Sequence, residues 1–139
     1  MPRTNRLQSM DVNVTNRCNF RCTFCSFEAG TAMFDELSVD EYQKLFSEAK
    51  SLGFEKIDLT GGEPTVRRDL KDIVNTGKSL DYKMKIVTNG SLVTPEELGE
   101  LKGIGLDGIS ISLDGSDHRT YSRIRMVSES RFRRVLETI

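Results

Sequence analysis

Strand-like and helix-like stretches alternate four times along this chain, and that alternation restricts its fold more than any other feature. Apolar alternation with β-branched residues marks Met10 to Thr15 as a strand, and Lys56 to Thr60, Lys83 to Val87 and Gly108 to Leu113 repeat the pattern. Helical spacing fills the intervals. Ser38-Val39-Asp40-Glu41 reads as a capping box, in which the Ser38 hydroxyl and the Glu41 carboxylate bond exposed backbone amides. The helix behind it carries Tyr42, Leu45, Phe46, Ala49 and Leu52 on one stripe and ends at Gly53. Asp69 opens a second helix through Leu70, Ile73, Val74 and Lys78. Thr94-Pro95-Glu96-Glu97 caps a third, with proline at its first position where no amide bond is lost. A last helix holds Phe132, Val135, Leu136 and Ile139. Such a series implies an α/β fold with a parallel sheet and helices packed outside it. A doubly wound open sheet and an arc of a βα barrel both satisfy it.

In either architecture ligands gather beyond the carboxyl ends of the strands, and the unusual residues fall there. Cys18, Cys22 and Cys25 lie within eight residues after the first strand, and the rest of the chain has no cysteine. Scattered intracellular cysteines are usually small buried apolar residues, whereas three in one loop can aim their sulfurs at one ion or cluster. Three is the informative count. Structural zinc takes four ligands, and the cubane clusters of electron carriers take four thiolates, so three leave one iron open. The alternative fourth ligand is His118, the only histidine, between Asp117 and Arg119 in a polar stretch. It reads as a solvated residue, and a Cys3His zinc site lacks the short paired spacing of zinc modules. An odd number of cysteines also argues against a disulfide framework.

The other three loops have bland readings beside their functional ones. Gly61-Gly62-Glu63-Pro64 follows the second strand. Its glycines permit close backbone approach to a ligand and Glu63 suits an ammonium group, yet a glycine turn would look similar. Thr88-Asn89-Gly90 offers hydroxyl and amide groups, although Asn-Gly is also a common turn pair. Ser110, Ser112 and Asp114 alternate so as to share a face, as an ordinary hydroxyl ladder would. Phe24 could plug the cysteine loop or stack on an aromatic base, while Phe20 and Phe27 read as packing residues. Arg119, Arg123, Arg125, Arg131, Arg133 and Arg134 could grip a phosphate or carboxylate, but among helix-compatible polar residues a solvated helix face is the better reading.

A net charge of -1 and a pI near 5.9 give no footprint for nucleic acid or an anionic membrane. No apolar run approaches bilayer length, and Met1-Pro2-Arg3-Thr4-Asn5-Arg6 leads into no signal-peptide core, so a cytoplasmic location is expected. No low-complexity tract or strong repeat divides the chain.

Together these motifs resemble a known family. Cys18-x3-Cys22-x-Phe24-Cys25 is similar to the signature of the radical S-adenosylmethionine (radical SAM) enzymes, and Gly61-Gly62-Glu63-Pro64 resembles their second hallmark. Thr88-Asn89-Gly90 and Ser112-Leu113-Asp114-Gly115 look like the branch containing molybdenum-cofactor GTP cyclases and peptide-modifying maturases. The resemblance implies a partial (βα) barrel, a [4Fe–4S] cluster on Cys18, Cys22 and Cys25, and S-adenosylmethionine as the second cofactor. In such enzymes the cluster reductively cleaves S-adenosylmethionine, and the 5′-deoxyadenosyl radical abstracts hydrogen from a substrate. By the same resemblance Gly61, Gly62 and Glu63 meet the methionine amino end and Phe24 lies near the adenine. Ser112 faces the ribose or methionine end, with Ser110 and Asp114 on its strand face, and Thr88 and Asn89 line the cavity where radical meets substrate. The implied partners are a small-molecule or peptide substrate and an electron donor such as flavodoxin or ferredoxin.

Two departures bear on the substrate. The GTP cyclases carry arginines seven residues before the first cysteine and two before the Thr-Gly-Gly of the second motif, where this chain has Asp11 and Asp58. Carboxylates there would repel a triphosphate, so GTP cyclisation is rejected as the expected activity. Family barrels also continue through further βα units. The expectation is therefore one radical SAM core domain over residues 1–139, incomplete at its carboxyl end or completed by association. A cluster-binding remnant without turnover and a zinc-binding structural domain are the competing classes.

Overall fold

The computed structural model describes residues 8–31 and 35–139. Met1 to Arg6, read above against a signal peptide, lie outside them. Four strands form one parallel sheet in sequential order: β1 (Gln8–Thr15), β2 (Phe54–Gly61), β3 (Lys83–Thr88) and β4 (Gly108–Ile111). The crossovers carry α1 (Val39–Ser51), α2 (Leu70–Ser79) and α3 (Pro95–Ile104). After β4 come α4 (His118–Arg125) and α5 (Glu129–Thr138). Sequential order decides between the two architectures. A doubly wound sheet reverses its strand order at a switch point, whereas right-handed crossovers that keep advancing put every helix on one face. Contacts of α1 with α2 and of α2 with α3 show that common face. The arrangement is an arc of a βα barrel.

Strand alternation sorts the two faces. Val12, Val14, Ile57, Leu59, Met84 and Ile86 are buried toward the helices, where Tyr42, Phe46, Ile73, Val74, Tyr82 and Leu101 complete the main core. On the opposite face Asp11 pairs in register with Asp58, and Asp58 with Lys85. Both capping boxes are present. The Ser38 and Thr94 hydroxyls accept from the amides of Glu41 and Glu97, whose carboxylates accept in return from the cap amides.

Several local expectations are corrected. Leu52 is the C-cap of α1 and lies exposed, because the chain turns there through Gly53 at φ +92°. On α5 only Phe132 and Val135 are buried, while Leu136 and Ile139 face outward. β4 ends at Ile111 rather than Leu113, and the residues from His118 to Arg125 form a helix of their own. Among the described residues no helix is long and apolar enough to cross a membrane.

Candidate cofactor site at the carboxyl ends of the strands

All four loops meet around one cavity of about 220 Å³. Its walls include the three cysteines with Phe24, then Gly61, Gly62 and Glu63, then Thr88 and Asn89, then Ser112. The alternating trio separates: Ser112 lines the cavity, Ser110 sits back on β4, and Asp114 turns outward to pair with Arg125. The reason is that β4 stops at Ile111, so strand alternation no longer governs the residues after it.

The cysteine loop is built by its own backbone and by its neighbours. Gly30 N–H donates to Asn16 O at 2.9 Å and Cys18 N–H to Gly30 O at 3.0 Å, closing the loop at its base. Two sulfurs accept backbone amides: Phe20 N–H lies 3.3 Å from Cys18 Sγ, and Ala29 N–H lies 3.4 Å from Cys25 Sγ. At Cys18 that amide favours thiolate over thiol. Burial opposes this at Cys18 and pushes its thiol upward, more strongly than the Phe20 amide pulls it down. Phe20 is buried beneath the loop with Tyr121, Phe132 and Val135, as a packing residue should be. Phe27 departs from that expectation; it is 45% exposed at the cavity rim. Phe24 is 57% exposed, a ring presented at the mouth.

The paired glycines serve the protein backbone first. A Cβ on Gly61, which sits at φ +127°, would lie 2.4 Å from Thr15 O, and one on Gly62 would lie 2.2 Å from Arg17 O. No side chain fits. Their closeness lets Gly62 N–H reach Thr15 O and Glu63 N–H reach Arg17 O, both at 2.8 Å, so the second loop is laced to the entry of the cysteine loop.

Glu63 is 1% exposed and ties two strands together. Its Oε1 accepts from Thr65 N–H at 3.1 Å, the Thr65 hydroxyl at 2.6 Å and the Thr88 hydroxyl at 2.6 Å. Its Oε2 accepts from Asn89 N–H at 2.6 Å. A carboxylate offers about four acceptor positions, and these four donors match that number, three of them crowded on Oε1 and one on Oε2. Asn89 continues the chain of contacts. Its side-chain amide donates to Asn19 Oδ1 at 2.9 Å, and Asn19 donates to Ser91 Oγ at 2.9 Å, bolting the cysteine loop to the loop after β3.

Arg67 holds this assembly from behind, with its side chain 4% exposed. It donates to Val14 O at 2.7 Å and Leu37 O at 2.9 Å and forms a fork with Asp69 at 2.6 and 2.8 Å. The hydrogen bonds from Arg67 hold the Asp69 carboxyl below its usual range, and those from Arg17 do the same for Glu36.

Residues 12–139 match the radical SAM superfamily. The chain belongs to that family. Among curated relatives of this radical SAM chain is the "Probable GTP 3',8-cyclase" of Methanopyrus kandleri, 36% identical over 126 residues, which are 91% of this chain and 39% of that protein. The GTP 3',8-cyclase of Heliobacterium modesticaldum is 40% identical over 108 residues, 74% of this chain and 33% of its own length. The chain thus spans about two fifths or less of these relatives. In fold it is similar to SuiB of Streptococcus suis bound to S-adenosylmethionine, at TM-score 0.77 and 21% identity over 91% of this chain and 30% of that one.

Three thiols at one cavity match the donor type that the family's cluster takes. Among the described residues no group of three or more His, Cys, Asp or Glu is drawn together tightly enough to hold one metal ion. A cubane binds each thiolate through a different iron, so its ligands need not converge on one point. His118 stands apart on α4, 45% exposed and 3.8 Å from Glu129.

Sequence reasoning missed Arg125. It was read with the solvated arginines, yet its side chain is 11% exposed, lines the cavity and donates to Cys22 Sγ at 3.5 Å. The available signal was its position after Tyr121, one helical turn earlier, which places both on one face.

Proposed function

We propose that this chain is the cluster-binding and S-adenosylmethionine-binding portion of a radical SAM oxidoreductase. Cys18, Cys22 and Cys25 hold a [4Fe–4S] cluster. Bound there with one iron free of protein ligand, the group supplies the low-potential electron for reductive cleavage of S-adenosylmethionine to a 5′-deoxyadenosyl radical. The observation that carries this reading is the convergence of three thiols, a buried carboxylate and a presented aromatic ring on one cavity.

The chain's own residues have separate tasks in this reading. Glu63 meets the methionine ammonium, with Gly61 and Gly62 keeping the wall thin enough for it to approach. Phe24 packs against the adenine and Ser112 meets the ribose or methionine end. Thr88 and Asn89 orient Glu63 and close the wall between cofactor and substrate. Ser110 and Asp114 contribute from the sheet face and from the arginine pair. Residues 1–139 make up one radical SAM core domain.

The substrate is a small molecule or peptide other than a nucleoside triphosphate. Asp11 and Asp58 stand side by side in register on the face away from the helices, and Lys85 Nζ reaches only Asp58, at 3.8 Å. Two carboxylates against one ammonium oppose a triphosphate. Electrons come from a small donor such as flavodoxin or ferredoxin, and the compartment is cytoplasmic, where thiolates stay reduced.

Anaerobic reconstitution, reduction with dithionite and an assay for 5′-deoxyadenosine test the reading. Cleavage of S-adenosylmethionine is expected, and GTP should not increase it or be consumed. A cluster without cleavage would leave a carrier, and zinc without iron or sulfide would remove the radical chemistry.

A further inference from the structure

Among the described residues, four buried side-chain polar atoms have no hydrogen-bond partner: Asn16 Nδ2, Tyr121 OH, Ser122 Oγ and Arg125 Nε. Three of them belong to α4. Buried donors are normally paired, so an orphan marks a place where a ligand or water completes the bonding. Tyr121 is 0% exposed and packs with Phe20 in the small core that Cys18 and Cys22 border. Arg125 follows four residues later on the same helix. Its Nη1 donates to Cys22 Sγ at 3.5 Å, its guanidinium carbon lies 5.2 Å over the Phe24 ring, and its Nη2 pairs with the Asp114 carboxylate.

The cysteine loop is also fastened to this helix. Thr23 donates to Ile124 O through its amide at 3.0 Å and its hydroxyl at 3.2 Å. Thr23 and Ile124 adjoin Cys22 and Arg125, so the sulfur and the guanidinium cannot drift apart independently. Asp114 fixes the far side of the guanidinium. A cation held against a cluster ligand stabilises whichever state of the cluster carries more negative charge, and hydrogen bonds to the sulfurs shift the potential in the same direction.

We propose that Arg125, oriented by Asp114 and supported by Tyr121, is a positioning residue that raises the reduction potential of the cluster through Cys22. The inference rests on the reading that the three cysteines hold a [4Fe–4S] cluster. The step it eases is the one-electron reduction of the cluster by an external low-potential donor, dithionite in the test. No bond to the protein is made or broken. Arg125, whose side chain is 11% exposed, makes the added electron less costly.

The test is an anaerobic redox titration of the reconstituted chain, followed by electron paramagnetic resonance, with iron and sulfide measured for each variant. Arg125→Gln should retain iron and sulfide and become about tenfold harder to reduce, a shift of about 59 mV for a one-electron couple. Arg125→Lys, which keeps the charge and loses the fork, should shift less. Asp114→Asn, which removes the anion that offsets the guanidinium, should shift in the opposite direction to Arg125→Gln without touching a cysteine, and Tyr121→Phe should alter the reduced-cluster spectrum with the smallest shift.

Full clusters in Arg125→Gln and Asp114→Asn at the unmodified potential would overturn the proposal and leave the cofactor assignment standing. If Arg125→Gln loses the cluster, the Arg125→Lys and Asp114→Asn potentials decide in its place. An unmodified chain that takes up no iron and sulfide overturns both readings.

Discussion

The two cores of this molecule are built to different standards. The main core lies between the sheet and α1–α3, is almost wholly apolar, and contains Phe46, Ile57, Leu59, Ile73 and Met84 at 0% exposure. Within it the Tyr82 hydroxyl donates to Phe46 O at 2.7 Å. The second core has four buried members, Phe20, Tyr121, Phe132 and Val135, with Cys18 and Cys22 at its border and orphan polar atoms from α4 beside it. The difference teaches that the rear of the sheet is held by apolar burial, whereas the front packs polar groups of α4 against the cysteine loop.

Variants can sharpen or break that comparison. The largest effect belongs to the front: replacing Cys18, Cys22 or Cys25 by alanine should abolish stable cluster incorporation while leaving denaturant unfolding of the cluster-free chain nearly unchanged. Iron and sulfide analysis beside urea titration checks both halves of that statement. Next comes the rear, where Phe46→Ala should cost about 3–5 kcal/mol in the urea titration. Phe20→Ala should fall at the low end, about 3 kcal/mol, because a small rim cluster collapses more easily. It should nevertheless lower cluster content where Phe46→Ala, measured below its unfolding transition, does not. Equal iron loss in both would erase the distinction.

Gly62→Ala probes the seam between the two cysteine-side loops. The added Cβ meets Arg17 O at 2.2 Å, so the seam must open, at about 1–3 kcal/mol by the usual cost of overpacking. Cluster uptake should slow, which absorbance during reconstitution would follow.

The ion network behind the seam gives a pH dependence of known sign. Asp69 and Glu36 have folded pKa values depressed by Arg67 and Arg17. Their stabilisation is therefore complete above the ordinary carboxylate values of 3.8 and 4.5 and is lost as pH falls through the lower folded ones. Urea midpoints should drop with acidification in that window, and Asp69→Asn should flatten the dependence; an unchanged slope would show that the Arg67 fork contributes little. The smallest effect is expected from His118→Ala. Iron content should be unaffected, since the exposed imidazole faces Glu129 rather than the cysteines.

Much of the frame was legible because it is encoded locally. A capping box is four consecutive residues, and Ser38 to Glu41 and Thr94 to Glu97 form theirs as the spacing requires. Strand alternation likewise found all four strands to within a few residues. The errors lie where distant groups decide. Leu52 fits the α1 stripe by period but falls after the last helical turn. Arg125 looks like its exposed neighbours until the packing of α4 against the cysteine loop is known. The glycine pair fits either a ligand wall or a turn by sequence, and only the fold shows the backbone of Thr15 and Arg17 packed against it.

What the sequence determined alone is the chemistry on offer: three thiols in one loop, a carboxylate after paired glycines, and a repeating unit that puts such loops at one end of a parallel sheet. Those follow from residue type and short-range period, which need no partner across space. Only the tertiary structure decided the direction of winding, the burial of Glu63 among Thr65, Thr88 and Asn89, and the seating of Arg125 on Cys22. Each depends on segments separated by tens of residues meeting at hydrogen-bonding distance, and no local pattern records which of them will meet.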